Sequence, residues 1–371
     1  MKFAKYLTAF SVFSVIAGVT LPAQGILFNL NPTFDTTTPE GQKALDGFQS
    51  AANLWSNEFN DNVTVNLDIG FASLGGSTLG QASSTREAVL VSDFANALSL
   101  DITSTNDQTA VNNLPLNSTT SGTDFIVFRG TEENGTTEFD TFNTGTLTND
   151  NTSLAITQAN AKAVGLAQNN GTADGEITFN SDFNFDFDRS NGIDSNKFDF
   201  TGIATHEIGH TLGFISGVDT VDFNSQPNGP NAPTDLDNFA IFNSLDLFRY
   251  STDSLALGSN VLDLAVGGDP FFSIDGGSTN LADFSTGAFN GNGDQASHWL
   301  DNQGLGLMDP TFARGELGQI SDIDRVAFDS IGYDTQPVPF EAEGTMGLVA
   351  LGGFFGYRYL KNRKKRNQAL S

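Results

Sequence analysis

The stretch Thr205–Phe214, which reads THEIGHTLGF, contains the pattern H-E-x-x-H. On an α-helix, side chains four residues apart lie on one face, so His206 and His210 could bind one metal ion with Glu207 beside it. Two imidazoles, an open coordination position and a carboxylate base suit zinc-dependent hydrolysis. The alternative is a surface helix that carries these letters by chance. Because two of the 3 histidines in the chain fall in this motif, the sequence favours a metal site.

The third ligand has to come from outside this helix. Gly213 predicts a sharp helix end, and the residue three positions later is Ser216, which is not a usual zinc ligand. The remaining histidine is His298, in Ala-Ser-His-Trp, and Met308 follows in Leu-Met-Asp-Pro. This combination resembles leishmanolysin-like metzincins. In that family the helix breaks at a glycine, an insertion precedes a third histidine written Ser-His-Trp, and a methionine-containing turn follows. The corresponding insertion here covers residues 211–297.

The resemblance implies an α+β fold, a zincin/metzincin-like catalytic domain with a β-rich insertion between the zinc helix and the third ligand. It implies Zn²⁺ as the cofactor, bound by His206, His210 and His298. Met308 would pack beneath the metal as a structural residue. Glu207 would take a proton from the zinc-bound water as that water attacks the peptide carbonyl. The expected activity is that of a zinc metalloendopeptidase, a hydrolase that acts on a peptide or protein substrate.

Two other interpretations of the motif remain open. The chain could be an extracellular surface or matrix protein that binds a partner on a metzincin scaffold without turnover. The intact Glu207 argues against this, because a binding protein needs no base at that position. Alternatively, a downstream carboxylate such as Asp219 or Glu316 could replace His298 as the third metal ligand.

The chain divides into five predicted segments. The resemblance and the residue patterns predict a signal peptide at 1–25, an N-terminal metzincin-like subdomain with the zinc helix at 26–217, a β-rich insertion at 218–295, a C-terminal subdomain with the third histidine, the methionine turn and the last helix at 296–334, and a sorting or membrane-anchor tail at 335–371.

Hydrophobic periodicity and turn residues predict the elements within these segments. The strand just before the zinc helix is by resemblance an edge strand that pairs with an extended peptide substrate. A helix is expected to begin at Ser321, where the sequence resembles a capping box. The other predicted elements are a strand, a helix and a strand within 26–72, loops over 101–122, a helix over 155–167, that edge strand at 175–180, and insertion strands at 244–250 and 270–274.

Both ends of the chain predict export. Residues 1–25 combine Lys2 and Lys5 with an apolar run and small residues before Ile26, which is typical of a signal peptide. The tail has a short proline-containing segment, an apolar run at 344–360 and a basic cluster. This order resembles bacterial PEP-CTERM sorting signals, which exosortase-like enzymes process; the alternative is a simple C-terminal transmembrane helix. Both predict a bacterial protein that is extracellular or on the cell surface, anchored transiently or stably by its C-terminal segment.

Charge and cysteine content exclude several classes of function. The net charge is −27, and eight of the 17 lysines and arginines lie in the two ends, so the body is more acidic still. Such a surface repels nucleic acid and anionic membranes. The chain has 0 cysteines, which excludes disulfides, thiolate catalysis and cysteine-ligated zinc.

Calcium is a further candidate ligand. Oxygen-bearing side chains surround a glycine turn just before the zinc helix, although the glycine falls one residue late for an EF-hand loop. An ordinary Asx-rich turn is the alternative interpretation. The candidate calcium residues are Asp186, Asp188, Asn191 and Asp194.

Overall fold

The computed structural model describes residues 25–117, 122–127, 149–224 and 239–336. The predicted sorting tail beyond Gln336, and all of the predicted signal peptide except Gly25, lie outside these ranges. Within the described ranges, no helix is both long enough and apolar enough to span a membrane. Helices and strands are mixed along the chain, which confirms the predicted α+β class.

The elements are numbered in chain order. The α-helices are α1 (Pro39–Glu58), α2 (Val91–Leu100), α3 (Thr105–Asn112), α4 (Asn149–Thr152), α5 (Gln158–Ala163), α6 (Phe200–Leu212), α7 (Val218–Asn224), α8 (Thr252–Leu257) and α9 (Asp322–Ser330). The strands are β1 (Leu27–Pro32), β2 (Thr64–Ala72), β3 (Gly80–Ser84), β4 (Arg86–Leu90), β5 (Asp124–Ile126), β6 (Ser153–Thr157), β7 (Gly175–Asn180), β8 (Phe185–Asp186), β9 (Phe198–Asp199), β10 (Arg249–Tyr250), β11 (Val261–Asp263), β12 (Phe271–Phe272) and β13 (Ala282–Asp283). Short 3-10 helices occur at Arg189–Asn191 and Leu245–Phe248.

A four-stranded sheet with the order β1-β2-β7-β3 packs against α6, the helix that contains H-E-x-x-H. The pairs β1–β2 and β2–β7 are parallel, whereas β3 runs antiparallel to β7. Alternate residues of β2, namely Val65, Leu67 and Ile69, are buried on one face, as the period of two in the sequence predicts. Helix α6 contacts both β3 and β7, so one end of the sheet lies beside the H-E-x-x-H motif.

The predicted edge strand at 175–180 is not at the edge. It forms β7, which lies between β2 and β3, and the outer strand is β3. The sequence of β3, GQASS, has no alternation of large apolar residues, because an edge strand buries little on either side. Without that alternation the sequence contains no strand signal at Gly80–Ser84. The prediction was therefore wrong about which strand is outermost.

Helix α1 packs against α6. It begins where the Thr38 hydroxyl accepts a hydrogen bond from the Gly41 amide, with Pro39 in the first turn. The indole N–H of Trp55 donates to the Thr205 carbonyl at 2.8 Å, and Trp55 is fully buried. This bond links α1 directly to the turn of α6 that precedes His206.

Two local predictions were wrong. Residues 155–167 are not one helix: β6 pairs with β4, and α5 begins only at Gln158, where the Thr157 hydroxyl accepts from the Asn160 amide. Residues 101–122, expected to be loops, contain α3, which Ser104 and Asp107 start with a capping box. In both places an N-cap hydroxyl that accepts backbone amide hydrogen bonds, rather than apolar periodicity, determines where the helix begins.

The insertion at 218–295 is not β-rich in its described residues. Its strands have only two or three residues each, and α7, α8 and a 3-10 helix account for more of its described length. The predicted strand at 244–250 forms the 3-10 helix followed by β10, because the Asp246 carboxylate accepts from the Asn243 amide and bends the backbone. The predicted strand at 270–274 is reduced to β12. Strand β11 pairs with β5, so the insertion is joined to the preceding part of the chain.

A buried ion pair connects α5 to Asp174, the residue just before β7. Lys162 Nζ lies 2.7 Å from Asp174 Oδ2, and the two side chains are 1% and 0% exposed. Replacing Lys162 by methionine leaves a buried carboxylate without its cation, and we expect the free energy of unfolding to fall by about 3–5 kcal/mol. Urea unfolding measures this loss. Lys197→Met, which breaks the partly exposed pair with Asp194, is the control and should cost much less, because solvent screens that pair. Equal losses in the two variants would contradict the prediction.

The stability of the fold should also depend on pH through Asp61. Burial, together with the neighbouring carboxylates of Asp334 and Asp101, raises the pKa of Asp61 to about 8. Between about pH 4 and pH 8 the native state therefore binds more protons at this site than the unfolded chain does. The stabilisation from protonated Asp61 is complete below about pH 4 and is lost as the pH rises through about 8.

Asp61→Asn tests this dependence. The variant should gain on the order of 2–4 kcal/mol of stability relative to wild type at about pH 9, and little at about pH 4. Urea unfolding across this pH range measures the difference. Asp46→Asn, at an exposed position, is the control. A stability difference between wild type and Asp61→Asn that does not change with pH would rule out this site as the cause.

Candidate metal centre

Helix α6 presents the H-E-x-x-H motif from a buried position. Its first residue, Phe200, packs among phenylalanine rings of α1 and β7, including Phe48 and Phe179. The helix ends at Gly213, whose φ of 125° lies in the region that favours glycine. The Gly213 amide donates back to the Gly209 and His210 carbonyls, which closes the last turn. The predicted helix end at Gly213 is therefore confirmed.

Three imidazoles converge on one point. The Nε2 atoms of His206 and His210 are 3.1 Å apart, and each lies 3.2 Å from Nε2 of His298. Three corners of a tetrahedron around zinc, at Zn–N distances of about 2.0–2.1 Å, are roughly 3.3–3.4 Å apart. The three nitrogens therefore match one face of a zinc coordination tetrahedron and leave the fourth corner for another ligand.

The other ring nitrogen of each histidine is bound to a backbone carbonyl. Nδ1 of His206 lies 2.8 Å from the Leu307 oxygen, and Nδ1 of His210 lies 2.7 Å from the Phe214 oxygen. Nδ1 of His298 lies 3.2 Å from the Gln295 oxygen. A carbonyl only accepts, so each Nδ1 has to carry the proton. The three Nε2 lone pairs then face one another with no hydrogen between them, an arrangement that could hold a metal ion.

Burial keeps these imidazoles neutral. It lowers the pKa of His206 to about 3, with a contribution from the neighbouring His210, and lowers the pKa of His210 to about 4. Burial and the two other imidazoles lower the pKa of His298 well below its ordinary value. Neutral imidazole is the form that binds a metal ion. The site is therefore prepared for a cation at neutral pH.

Glu207 lies on the same helix turn, against the outer strand of the sheet. Its side chain is 8% exposed, and burial raises its pKa to about 8. A divalent cation on the neighbouring histidines would lower that pKa again by Coulomb attraction. A Cβ on Gly80 would come within 3.3 Å of Glu207 Oε1, so β3 passes directly over the carboxylate. The sequence contained no signal for this role of Gly80.

Met308 packs against α6 at Gly209, and its expected position beneath a metal stays a prediction. It is 0% exposed, and its sulfur lies where a Cβ on Gly209 would be only 2.6 Å away. Gly209 is thus required for the close approach of α6 and the turn that contains Met308. The ring of Phe312 meets His206 edge-on at 5.7 Å between centroids, and no local pattern around Phe312 indicates this contact.

The proposed alternative ligands lie elsewhere. The Asp219 carboxylate accepts from the Ala296 and Ser297 amides. A Glu316 oxygen accepts from the Ala313 amide at 2.6 Å. In the described part of the chain, His206, His210 and His298 are the group of side chains placed to hold a metal ion. The structure therefore brings together the three histidines rather than a two-histidine, one-carboxylate set.

The candidate calcium residues form a turn whose carboxylates lie near the ammonium group of Lys197. Asp186 Oδ2 accepts from the Asp194 amide at 2.9 Å, and Asp188 caps the 3-10 helix that contains Asn191. Lys197 Nζ lies 2.5 Å from Asp194 Oδ2 and 4.0 Å from Asp186 Oδ2. The lysine ammonium supplies the positive charge in this turn, which fits the Asx-rich interpretation. Calcium binding stays a prediction.

Comparison of the chain with protein-family models, with curated proteins and with solved structures found no match. The function therefore has to be inferred from the chemistry of the three histidines, Glu207 and their surroundings.

Proposed function

We propose that the protein is a zinc metalloendopeptidase of the metzincin type. The observation that carries this proposal is the triangle of Nε2 atoms at 3.1–3.2 Å, formed by His206, His210 and His298. Imidazole nitrogen at this spacing suits Zn²⁺, and three protein ligands with an open fourth position are typical of catalytic rather than structural zinc. When bound, zinc would acidify a coordinated water and polarise the peptide carbonyl.

The three histidines and Glu207 each have a defined role in the proposed peptide hydrolysis. The histidines hold the metal, and their Nδ1 bonds to backbone fix the orientation of the rings. The Glu207 carboxylate accepts the proton of the attacking water and passes it to the leaving amine. Because only 8% of its side chain is exposed, Glu207 is shielded from bulk water that would compete for that proton.

The outer strand offers a place for an extended substrate. In the described part of the chain, no strand pairs with the outer edge of β3. A peptide that added to this edge would run beside Gly80, which lies against Glu207. This placement favours endopeptidase action on extended segments, with β3 in the role that the sequence had suggested for β7.

The cellular setting rests on the ends of the chain. We propose export from a bacterial cell, with the tail at 335–371 either processed by an exosortase-like enzyme or retained as an anchor. The acidic body and the lack of cysteine are compatible with this setting. Surface labelling of cells that produce the full chain tests it, and a wholly internal protein would exclude it.

Metal removal tests the proposed activity. Treating the purified full chain with ortho-phenanthroline, a zinc chelator, should abolish casein cleavage, and adding Zn²⁺ should restore it. The meta isomer, which does not chelate, is the matched control and should leave cleavage unchanged. Cleavage that survives complete removal of zinc would exclude a zinc peptidase. Bound zinc without cleavage of any peptide tested would favour the scaffold-type binding protein instead.

A further inference from the structure

The third histidine lies on a loop, unlike the first two. His206 and His210 project from α6, whose backbone fixes their spacing. His298 depends on the conformation of the turn 295–298, since its Nδ1 partner is the Gln295 carbonyl at 3.2 Å in the same turn. This is the longest of the three Nδ1 contacts. Whatever holds this turn also determines where the third Nε2 points.

One carboxylate holds the turn. Asp219 Oδ1 accepts from the Ala296 amide at 2.6 Å, and Oδ2 accepts from the Ser297 amide at 3.1 Å and from the Ser297 hydroxyl. These are the two residues between Gln295 and His298. Asp219 itself lies in the first turn of α7, which follows α6 closely along the chain. The carboxylate thus connects the helix that carries two ligands to the turn that carries the third.

The Ser297 hydroxyl extends this connection. It accepts from the Ser216 amide at 2.8 Å while it donates to Asp219. The Ser216 hydroxyl in turn donates to Asp246 at 2.6 Å. Ser216, Ser297 and Asp246 are all buried, so water does not replace these bonds. Ser216, three residues past the glycine that ends α6, therefore supports the third ligand instead of being one.

From this geometry we infer that Asp219 is a positioning residue for the third metal ligand. Its carboxylate fixes the turn that aims His298 Nε2 at the other two imidazoles. The inference rests on the metal site of the proposed function and not on peptide hydrolysis. Loss of an outer-shell partner of a metal ligand typically costs about 10–100-fold in metal affinity. We expect Asp219→Asn to lie in this range, because an amide nitrogen would face donors that now meet an oxygen.

The same helix offers a matched control. Asp222 lies three residues after Asp219, is 1% exposed, and accepts from the Phe289 and Asn290 amides at 2.8 and 2.9 Å. It therefore has the same chemistry in the same helix, but it holds a different loop. Asp222→Asn should lower the free energy of unfolding, because it weakens buried hydrogen bonds to a loop, but it should not change the metal affinity.

The test compares full-length wild type, Asp219→Asn and Asp222→Asn. Zinc affinity is measured by competition with a chromogenic chelator, and the visible absorption of the Co²⁺ form reports the coordination geometry. Asp219→Asn should bind zinc about 10–100-fold more weakly and give an altered Co²⁺ spectrum. Asp222→Asn should match wild type in both. Equal behaviour of the two variants would overturn the inference.

Two further outcomes are decisive. If Asp219→Asn does not fold, Ser297→Ala replaces it, because this change removes only the hydroxyl that links Ser216 to Asp219. Weaker zinc binding by Ser297→Ala would support the inference, and zinc binding equal to that of wild type would overturn it. Wild type without zinc affinity would overturn the metal proposal and this inference together. Zinc retained equally by wild type and Asp219→Asn would overturn the inference alone.

Discussion

Replacing Glu207 by glutamine should abolish peptide hydrolysis while zinc stays bound. Glutamine keeps the shape of the side chain but cannot accept the proton of the attacking water. General-base catalysis typically contributes about 10²–10⁴-fold, so a loss of at least this size is expected in kcat/KM. The three imidazole nitrogens that would hold the metal belong to other residues, so the zinc content should not change.

Because Glu207 is buried, its replacement by glutamine should leave the stability of the metal-free protein nearly unchanged. Burial raises the pKa of Glu207 to about 8, so the metal-free protein already favours the neutral carboxyl, which glutamine imitates. We therefore expect the thermal unfolding of the metal-free variant to resemble that of wild type. Glu176→Gln, at an exposed position on β7, is the control for the chemical change itself. Full activity in a zinc-loaded Glu207→Gln protein would remove Glu207 from the reaction.

The second large effect is expected from His298→Ala. This change removes one of the three proposed ligands and leaves two imidazoles on α6, which cannot complete a zinc site. Zinc affinity should fall by more than about 100-fold, beyond the range expected for an outer-shell change. Chelator competition on the full chain measures it, and casein cleavage should disappear in parallel.

The variant Glu316→Gln distinguishes a three-histidine ligand set from one in which Glu316 replaces His298. Glu316→Gln should retain zinc, because its carboxylate bonds to the Ala313 amide and lies outside the histidine group. Stoichiometric zinc in His298→Ala, together with loss of zinc in Glu316→Gln, would transfer the third ligand to Glu316. The converse result would assign it to His298.

The local part of the site was predictable from the sequence. The spacing of His206 and His210 acts within a single helix, so periodicity alone places both imidazoles on one face. Gly213 was predictable for the same reason, as a helix end that needs a positive φ. His298 was predictable because the chain has so few histidines and because it stands in a Ser-His-Trp sequence with Met308 soon after it. Its approach to the helix depends on long-range packing that no local pattern encodes.

The parts that could not be predicted depend on contacts between distant segments. Gly80 lies over Glu207 because β3 pairs with β7, yet the polar sequence of β3 lacks the signal of a strand. Asp219 binds the turn that precedes His298, but a single acidic residue in a polar insertion has no distinctive pattern. The insertion was expected to be β-rich because residues 244–250 and 270–274 have strand-like sequences. Side-chain hydrogen bonds such as that of Asp246 instead bend the backbone into short helical turns.

The most direct test of the central claim is anomalous diffraction at the zinc absorption edge from crystals of the zinc-loaded full chain. One strong anomalous peak is expected about 2.0–2.1 Å from Nε2 of His206, His210 and His298. A peak at any other set of side chains, or the lack of a peak between these three rings, would contradict the account.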